Sequence, residues 1–243
     1  MKKINLLASL VVSIAIACIF CALLFSSVTT HASTTPTSDG LSPQVLKAAI
    51  NGYDWALQHG KVHNQSVLTV IDFDIPSYEK RLWVIDLKTG HTLMTMHVAQ
   101  GKNTGAVNAQ HFSNAPGSRE SSPGIYTTAD EYMGKHGKSM RVNGLETGIN
   151  SNAGSRAVVI HPAWYMTPEF IKKNGYAGRS WGCFALNPAH IDQFMNLVKG
   201  GSVLFAYAAT EKQDPLVNHD LSGIGTELYA ELTDHSLYER WFG

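Results

Sequence analysis

This chain of 243 residues predicts a mostly β domain with a few peripheral helices. Three observations carry that reading. Short β-branched or aromatic runs recur from Ser66 onward, separated by Pro, Gly and Asp. Clear helical spacing of apolar residues occurs in only two places. An apolar N-terminal run reads as a removable leader, so about 210 residues remain, enough for one domain to bury a core without disulfide staples.

The leader spans residues 1–32. Lys2 and Lys3 give a positive start, residues 4–25 are almost wholly apolar, and Thr30-His31-Ala32 offers small residues for cleavage after Ala32. The same run is long enough, at about 1.5 Å per residue, to remain as an uncleaved anchor. Either way the chain is exported, to the periplasm or cell envelope, and membrane contact is confined to this segment. Lipidation at Cys18 is disfavoured because Ala15 stands where a larger aliphatic is expected. Losing Lys2 and Lys3 takes the basic residues from 19 to 17 against 19 acids, with no basic block, which argues against nucleic acid or an anionic membrane surface as partner.

Residues 33–41, rich in Ser, Thr and Pro, read as a flexible linker. An N-terminal helical segment follows over 42–65. Ser42-Pro43 resembles a cap and first helical position, and Leu46, Ile50, Tyr53 and Leu57 give one apolar face over 43–59. The main domain covers 66–212. Strands are expected at 67–71, 82–85, 93–98, 124–128, 139–143, 157–160 and 202–208, with a hairpin turn at 86–90. A second helix is expected over 188–199, from Pro188 with Ile191, Phe194, Met195 and Val198. Between 99 and 124 lies a Gly/Ser/Asn-rich stretch of the kind that more often carries function than core. The C-terminal tail, 213–243, only hints at a helical face through Leu228, Leu232 and Trp241.

Of three cysteines, Cys18 and Cys21 fall in the leader, so the exported chain carries one thiol, Cys183. A lone cysteine is commonly a small buried hydrophobe. Here it follows Gly182, between Trp181 and Phe184, in an oxidising compartment where an unpaired thiol is exposed to chemistry. A thiol of ordinary pKa is only a few per cent thiolate near neutrality, so it needs a base. His161, at the end of the strand-like run Ala157-Val158-Val159-Ile160, is the candidate. His59 and His63 are four apart, but no Glu follows His59 and Gly60 separates them, so no metal is expected. Arg156 and Arg141 read as solvated or ion-paired surface residues.

Ile160-His161 followed by Ser180-Trp181-Gly182-Cys183 resembles the His…Ser-x-Gly-Cys signature of the L,D-transpeptidase catalytic domain, and specifically the murein branch of these cysteine enzymes. Phe112-Ser113-Asn114, Gly117-Ser118, Ser121-Ser122-Pro123-Gly124, Tyr132-Met133-Gly134, Gly144-Leu145-Glu146 and Gly178-Arg179-Ser180 extend the likeness over about residues 66–210. The resemblance implies a β-sandwich or barrel-like fold and a nucleophile, Cys183, activated by His161. It implies a thioester with the third residue of a peptidoglycan tetrapeptide stem, release of D-alanine, and transfer to an amine, with no metal or cofactor. The backbone around Gly182 and Cys183 would hold the oxyanion, shaped by Ser180 and Arg179. Tyr165, Trp181, Ser113, Asn114 and Ser122 would line the stem-peptide groove. Trp181 and Ala185 stand where the best-known members carry His and Arg or Asn, and the long interval between His161 and Cys183 suggests a lid over residues 165–178. Hydrolysis of the same thioester, giving an L,D-carboxypeptidase, is the alternative outcome, and a catalytically idle wall-binding module is the alternative class. The chain is expected to act as a monomer.

Overall fold

A computed structural model describes residues 40–221 and 223–233. The leader, most of the linker and the end of the tail lie outside the described residues. Helix α1 runs Pro43–Gln58, where Pro43 takes the first helical position. Eight strands follow: β1 (Val67–Asp72), β2 (Leu82–Asp86), β3 (Thr92–Met96), β4 (Gly124–Gly134), β5 (Gly137–Gly144), β6 (Val159–Pro162), β7 (Phe184–Leu186) and β8 (Val203–Tyr207). Helices α2 (Pro168–Asn174), α3 (Ile191–Val198) and α4 (Ile224–Thr233) lie between and after them. No helix among the described residues is long and apolar enough to cross a membrane.

The strands form one sheet in the order β3-β2-β1-β8-β4-β5-β6-β7. β1 pairs with β8, and β6 with β7, in parallel, while the other neighbours are antiparallel. The two edges approach each other. Past β3 the chain runs along β7, where the Ala99 amide donates to the Ala185 carbonyl at 3.0 Å and Gly101 bridges Ser180. That contact nearly closes the sheet into a barrel, which removes exposed edges.

Both faces of the central strands are buried, which explains their continuous apolar runs. Along β8, Leu204 and Ala206 enter a core with Ile71, Met140, Phe184 and Phe194. Val203, Phe205 and Tyr207 enter a second core with Leu46, Ile50 and Tyr53 of α1. The tail contributes Leu228 and Leu232 of α4 to this second core. Asn51 of α1 donates to the carbonyls of Val217 and His219 at 3.1 and 2.9 Å, fastening the segment before α4.

Most expected elements are present, with three differences. β4 continues to Gly134, past a register shift at Thr128/Glu131, through its pairing with β5; its outer half is largely exposed and so carries no apolar run that would mark it in the sequence. β7 was not expected, since three buried residues carry no period. The interval before it contains a 3-10 turn, Trp164–Met166, and α2.

A Cβ added at Gly52 would sit 3.0 Å from Ile125 Cγ1 and 3.3 Å from Phe205, so the helix rests directly on the sheet there. Gly52→Val is expected to destabilise the fold by about 1–3 kcal/mol through overpacking. Chemical denaturation checks this, and an unchanged midpoint would contradict so close an approach.

Candidate active site

Cys183 lies at the apex of a compact loop leading into β7. The Ser180 amide donates to the Gln100 carbonyl at 2.9 Å and the Lys102 amide to the Ser180 carbonyl at 2.7 Å, so the loop is fixed to the closing seam of the sheet. Ser180 Oγ donates to the Cys183 carbonyl at 2.7 Å and accepts the Gly182 amide at 3.1 Å. Gly182 adopts φ +111°, and a Cβ there would stand 2.6 Å from the Glu120 carbonyl and 3.1 Å from Arg156 Nη2. Only glycine meets both constraints.

His161 is held by β6. Its parallel register with β7 sets Ile160 beside Phe184 and His161 beside Ala185, two positions beyond Cys183. The imidazole is 3% exposed. Nδ1 lies 2.9 Å from the Pro162 carbonyl. A carbonyl only accepts, so Nδ1 carries the proton and Nε2 keeps its lone pair. Burial pushes the His161 pKa down. The Pro162 contact opposes this, and the charges of His136 and Lys135 add to the lowering.

The Cys183 thiol donates to the Ala157 carbonyl at 3.6 Å, from a residue at the unusual φ of +52°. Burial pushes the thiol above its ordinary value, while the Val159 amide and the charges of Arg156 and Lys135 pull the other way. Burial dominates both shifts, so the resting pair is neutral thiol and neutral imidazole.

Arg156 corrects the sequence reading, which took it for a surface residue. Nη1 donates to the Ser113 carbonyl and Ser122 Oγ, and Nη2 to Ser118 Oγ and the Glu120 carbonyl. One planar guanidinium thereby gathers the 113–122 loop and presses it against Gly182. The sequence carried a partial signal, since a loop so rich in Ser offers acceptors that need a donor. Arg179, by contrast, donates to the Lys102 carbonyl at 3.2 Å. The cations whose fields reach Cys183 are Arg156 and Lys135.

The remaining candidates divide into loop-holding polar side chains and aromatic neighbours of the cysteine loop. Ser122 Oγ donates to the Ser113 carbonyl at 2.8 Å, and Asn114 Oδ1 accepts the Asn152 amide at 3.0 Å, so these side chains hold the loops to one another. Trp181 is 67% exposed, with the Arg119 guanidinium 4.5 Å from its ring centroid. Tyr165 is half-buried beside Cys183, and burial together with the cysteine's field pushes its phenol up to about 12. Gly178 admits the Tyr165 ring, because a Cβ there would lie 2.4 Å from it. Over the interval expected to form a lid, Thr167 caps α2 and Gly175 ends it at φ +75°. Trp164 of the 3-10 turn and Phe170 of α2 form an edge-to-face aromatic pair.

Among the described residues, the donors grouped closely enough to hold a metal are Glu146, Glu211 and Asp214, whose carboxylate oxygens lie within 4.8 Å of one another. They stand apart from Cys183, near the Ile125 amide, which donates to Glu146. Burial pushes Glu146 and Glu211 up to about 8, from 4.5. The folded chain therefore keeps protons that the unfolded chain releases, and stability falls as pH rises between those values. The melting temperature should decline from pH 5 to 8.5, and Glu211→Gln should flatten the slope; an equal slope in the variant would count against these protons. For the loop, Arg156→Lys keeps the charge but not the fork. It should cost about 1.5–3 kcal/mol and lower amide protection over 113–122 by hydrogen exchange, where unchanged protection would refute the anchoring role.

The sequence profile of the L,D-transpeptidase catalytic domain matches residues 37–207. No curated protein matches the chain. Solved structures similar to it include an L,D-transpeptidase from Mycobacterium smegmatis, 20% identical over 59% of each chain with a TM-score of 0.36. L,D-transpeptidase 1 from Mycobacterium tuberculosis is 15% identical over 59% of this chain and 62% of that one, with a TM-score of 0.33. The helical cell shape determining protein Pgp2 from Campylobacter jejuni is 10% identical over 80% of this chain and 64% of its own, with a TM-score of 0.42. The chain spans about three fifths of the length of these structures. With the profile covering more than half of its residues, the chain belongs to the L,D-transpeptidase catalytic domain family.

Proposed function

We propose that this chain is an exported cysteine acyltransferase that cross-links peptidoglycan stem peptides through Cys183 and His161. The observation that carries the reading is the 2.9 Å contact of His161 Nδ1 with the Pro162 carbonyl: with Nδ1–H donating there, Nε2 is left as a base on the strand paired with the one that follows Cys183. In the resting state the thiol proton points to Ala157. Rotation about the Cys183 side chain would redirect it to Nε2, as catalytic contacts often tighten only with substrate bound.

The thiolate then attacks the carbonyl of the third stem residue. The Cys183 amide supports the oxyanion, since the Gly182 amide is already taken by Ser180 Oγ. The C–N bond to D-alanine breaks, imidazolium protonates the leaving amine, and a thioester remains on Sγ. His161 next takes a proton from the acceptor amine of a second stem, which attacks the thioester and frees the thiol. Trp181 and Tyr165 line the approach to the sulfur, and Ser180 and Arg179 hold the loop that carries it.

Incubation with disaccharide tetrapeptide tests this by mass. The expected result is an acyl adduct on Cys183 with loss of D-alanine, then a cross-linked dimer. A tripeptide in place of the dimer would show hydrolysis, and binding without an adduct would leave only a wall-binding module. Cys183→Ser should abolish the adduct, and His161→Ala should slow its formation by about 100- to 10,000-fold. Because the thiol is raised and the imidazole lowered, alkylation of Cys183 by iodoacetamide should still be accelerating beyond pH 8.5. A plateau reached by pH 7 would mean a preformed thiolate–imidazolium pair and would contradict the neutral resting state.

A further inference from the structure

The β4–β5 hairpin reaches past the end of β6 and sets a second histidine against the first. His136, at the tip between Gly134 and Gly137, stacks on His161 with ring centroids 4.5 Å apart and planes at 27°. The contact is built into the backbone. Gly137, at φ +90°, lets the turn close beside Pro162, whose Cγ would be 3.7 Å from a Cβ there. Lys138 fixes the hairpin stem, pairing with Glu131 across the strands and with Asp192 of α3 at 3.4 Å each. His136 itself is exposed, whereas the ring beneath it is almost wholly covered.

We propose that His136 is a positioning residue for His161: its imidazole clamps the outer ring face, blocks rotation away from the Pro162 carbonyl, and shields the base from water. This rests on the role proposed above for His161. Two restraints then act on one ring, the carbonyl at its Nδ1 edge and the stacked imidazole on its face, and Nε2 is left as the nitrogen with a free lone pair. On the hairpin, Lys135 and His136 both disfavour a proton on His161. From the other elements around the site come Cys183 and the Tyr165 phenol, neither of which carries charge at neutral pH in the resting state. A clamp made this way raises turnover without touching substrate, so its loss should appear in kcat and in the pH profile more than in KM.

The experiment compares the full chain with His136→Ala and His136→Phe. The alanine variant should lose about tenfold in kcat with little change in KM, and its acid limb should move to higher pH as His161 becomes wetter and its burial, the main cause of its lowered pKa, is relieved. The phenylalanine variant, which keeps a flat ring on the stack, should recover most of kcat. Titration of the His161 ring by NMR, in a Cys183→Ala background, reads the same clamp without turnover: its midpoint should rise in His136→Ala. If wild type forms no adduct on Cys183, the acyltransferase reading fails, yet the NMR shift still reports on the clamp. An unmoved His161 midpoint and pH profile in His136→Ala would overturn the proposal. Equal kcat losses in the alanine and phenylalanine variants would also overturn it, because they would assign His136 a proton-transfer role.

Discussion

The parallel pairing of β6 with β7 is the constraint from which the site follows. Two short strands, far apart along the chain until the 3-10 turn and α2 bring the second back, are locked with His161 beside Ala185. Their other neighbours leave them no freedom: β6 is zipped to β5 through Met140 and Arg141, and β7 is zipped on its far side to the Ala99 amide. A one-residue slip would turn His161 to the opposite face of the sheet. The near-closed sheet thus fixes the strand that carries His161 against the strand that follows Cys183, so their approach costs no further ordering of the backbone. Ala185, fully buried at this seam, packs with Ala99 of the segment after β3.

Around that seam the polar groups follow a division of labour. Arg156 collects oxygens from Ser113, Ser118, Glu120 and Ser122. Its charge would be costly in so crowded a setting without those partners, and the loop would be loose without its donors. Because the same guanidinium abuts Gly182, loop order and the electrostatics of Cys183 are coupled through one side chain. Ser180 performs a smaller version of this task, using one hydroxyl to satisfy both ends of the turn that carries the thiol. Many of the hydroxyls and amides nearest the sulfur are therefore spent on architecture, while Trp181 stays exposed and Tyr165 half-buried.

How much of this was legible beforehand differs by element for physical reasons. Helix α1 and strands β1, β2 and β8 announced themselves, since burial of one stripe or of both faces imposes a period or a run. Asp86 marked its hairpin because an aspartate that accepts amides two and three residues on is a local device; its Oδ1 takes the Lys88 and Thr89 amides at 2.8 and 2.9 Å. β7 was hidden because a three-residue strand exists only through its neighbours. Tyr165 was expected to line the stem-peptide groove, and the structure sets it half-buried within reach of the Cys183 field. Ser113, Asn114 and Ser122 were chosen from the same kind of pattern, yet their visible work is to tie loops together. Serine and asparagine have the same appearance in a sequence whether they bind a ligand or a backbone.

The sequence by itself determined the mostly β class, the separation of Cys183 from the two cysteines of the apolar N-terminal run, and His161 with Cys183 as the residues to examine. Those follow from composition and local spacing, which the chain carries wherever it folds. Only the tertiary structure decided which histidine nitrogen holds the proton, which arginine serves the cysteine loop, and that a second imidazole covers the first. Each of these depends on contacts between segments tens of residues apart, such as the Arg156 fork with Ser113 and the stack of His136 on His161. Long-range contacts of that kind are set by sheet register and closure, and no local pattern encodes them.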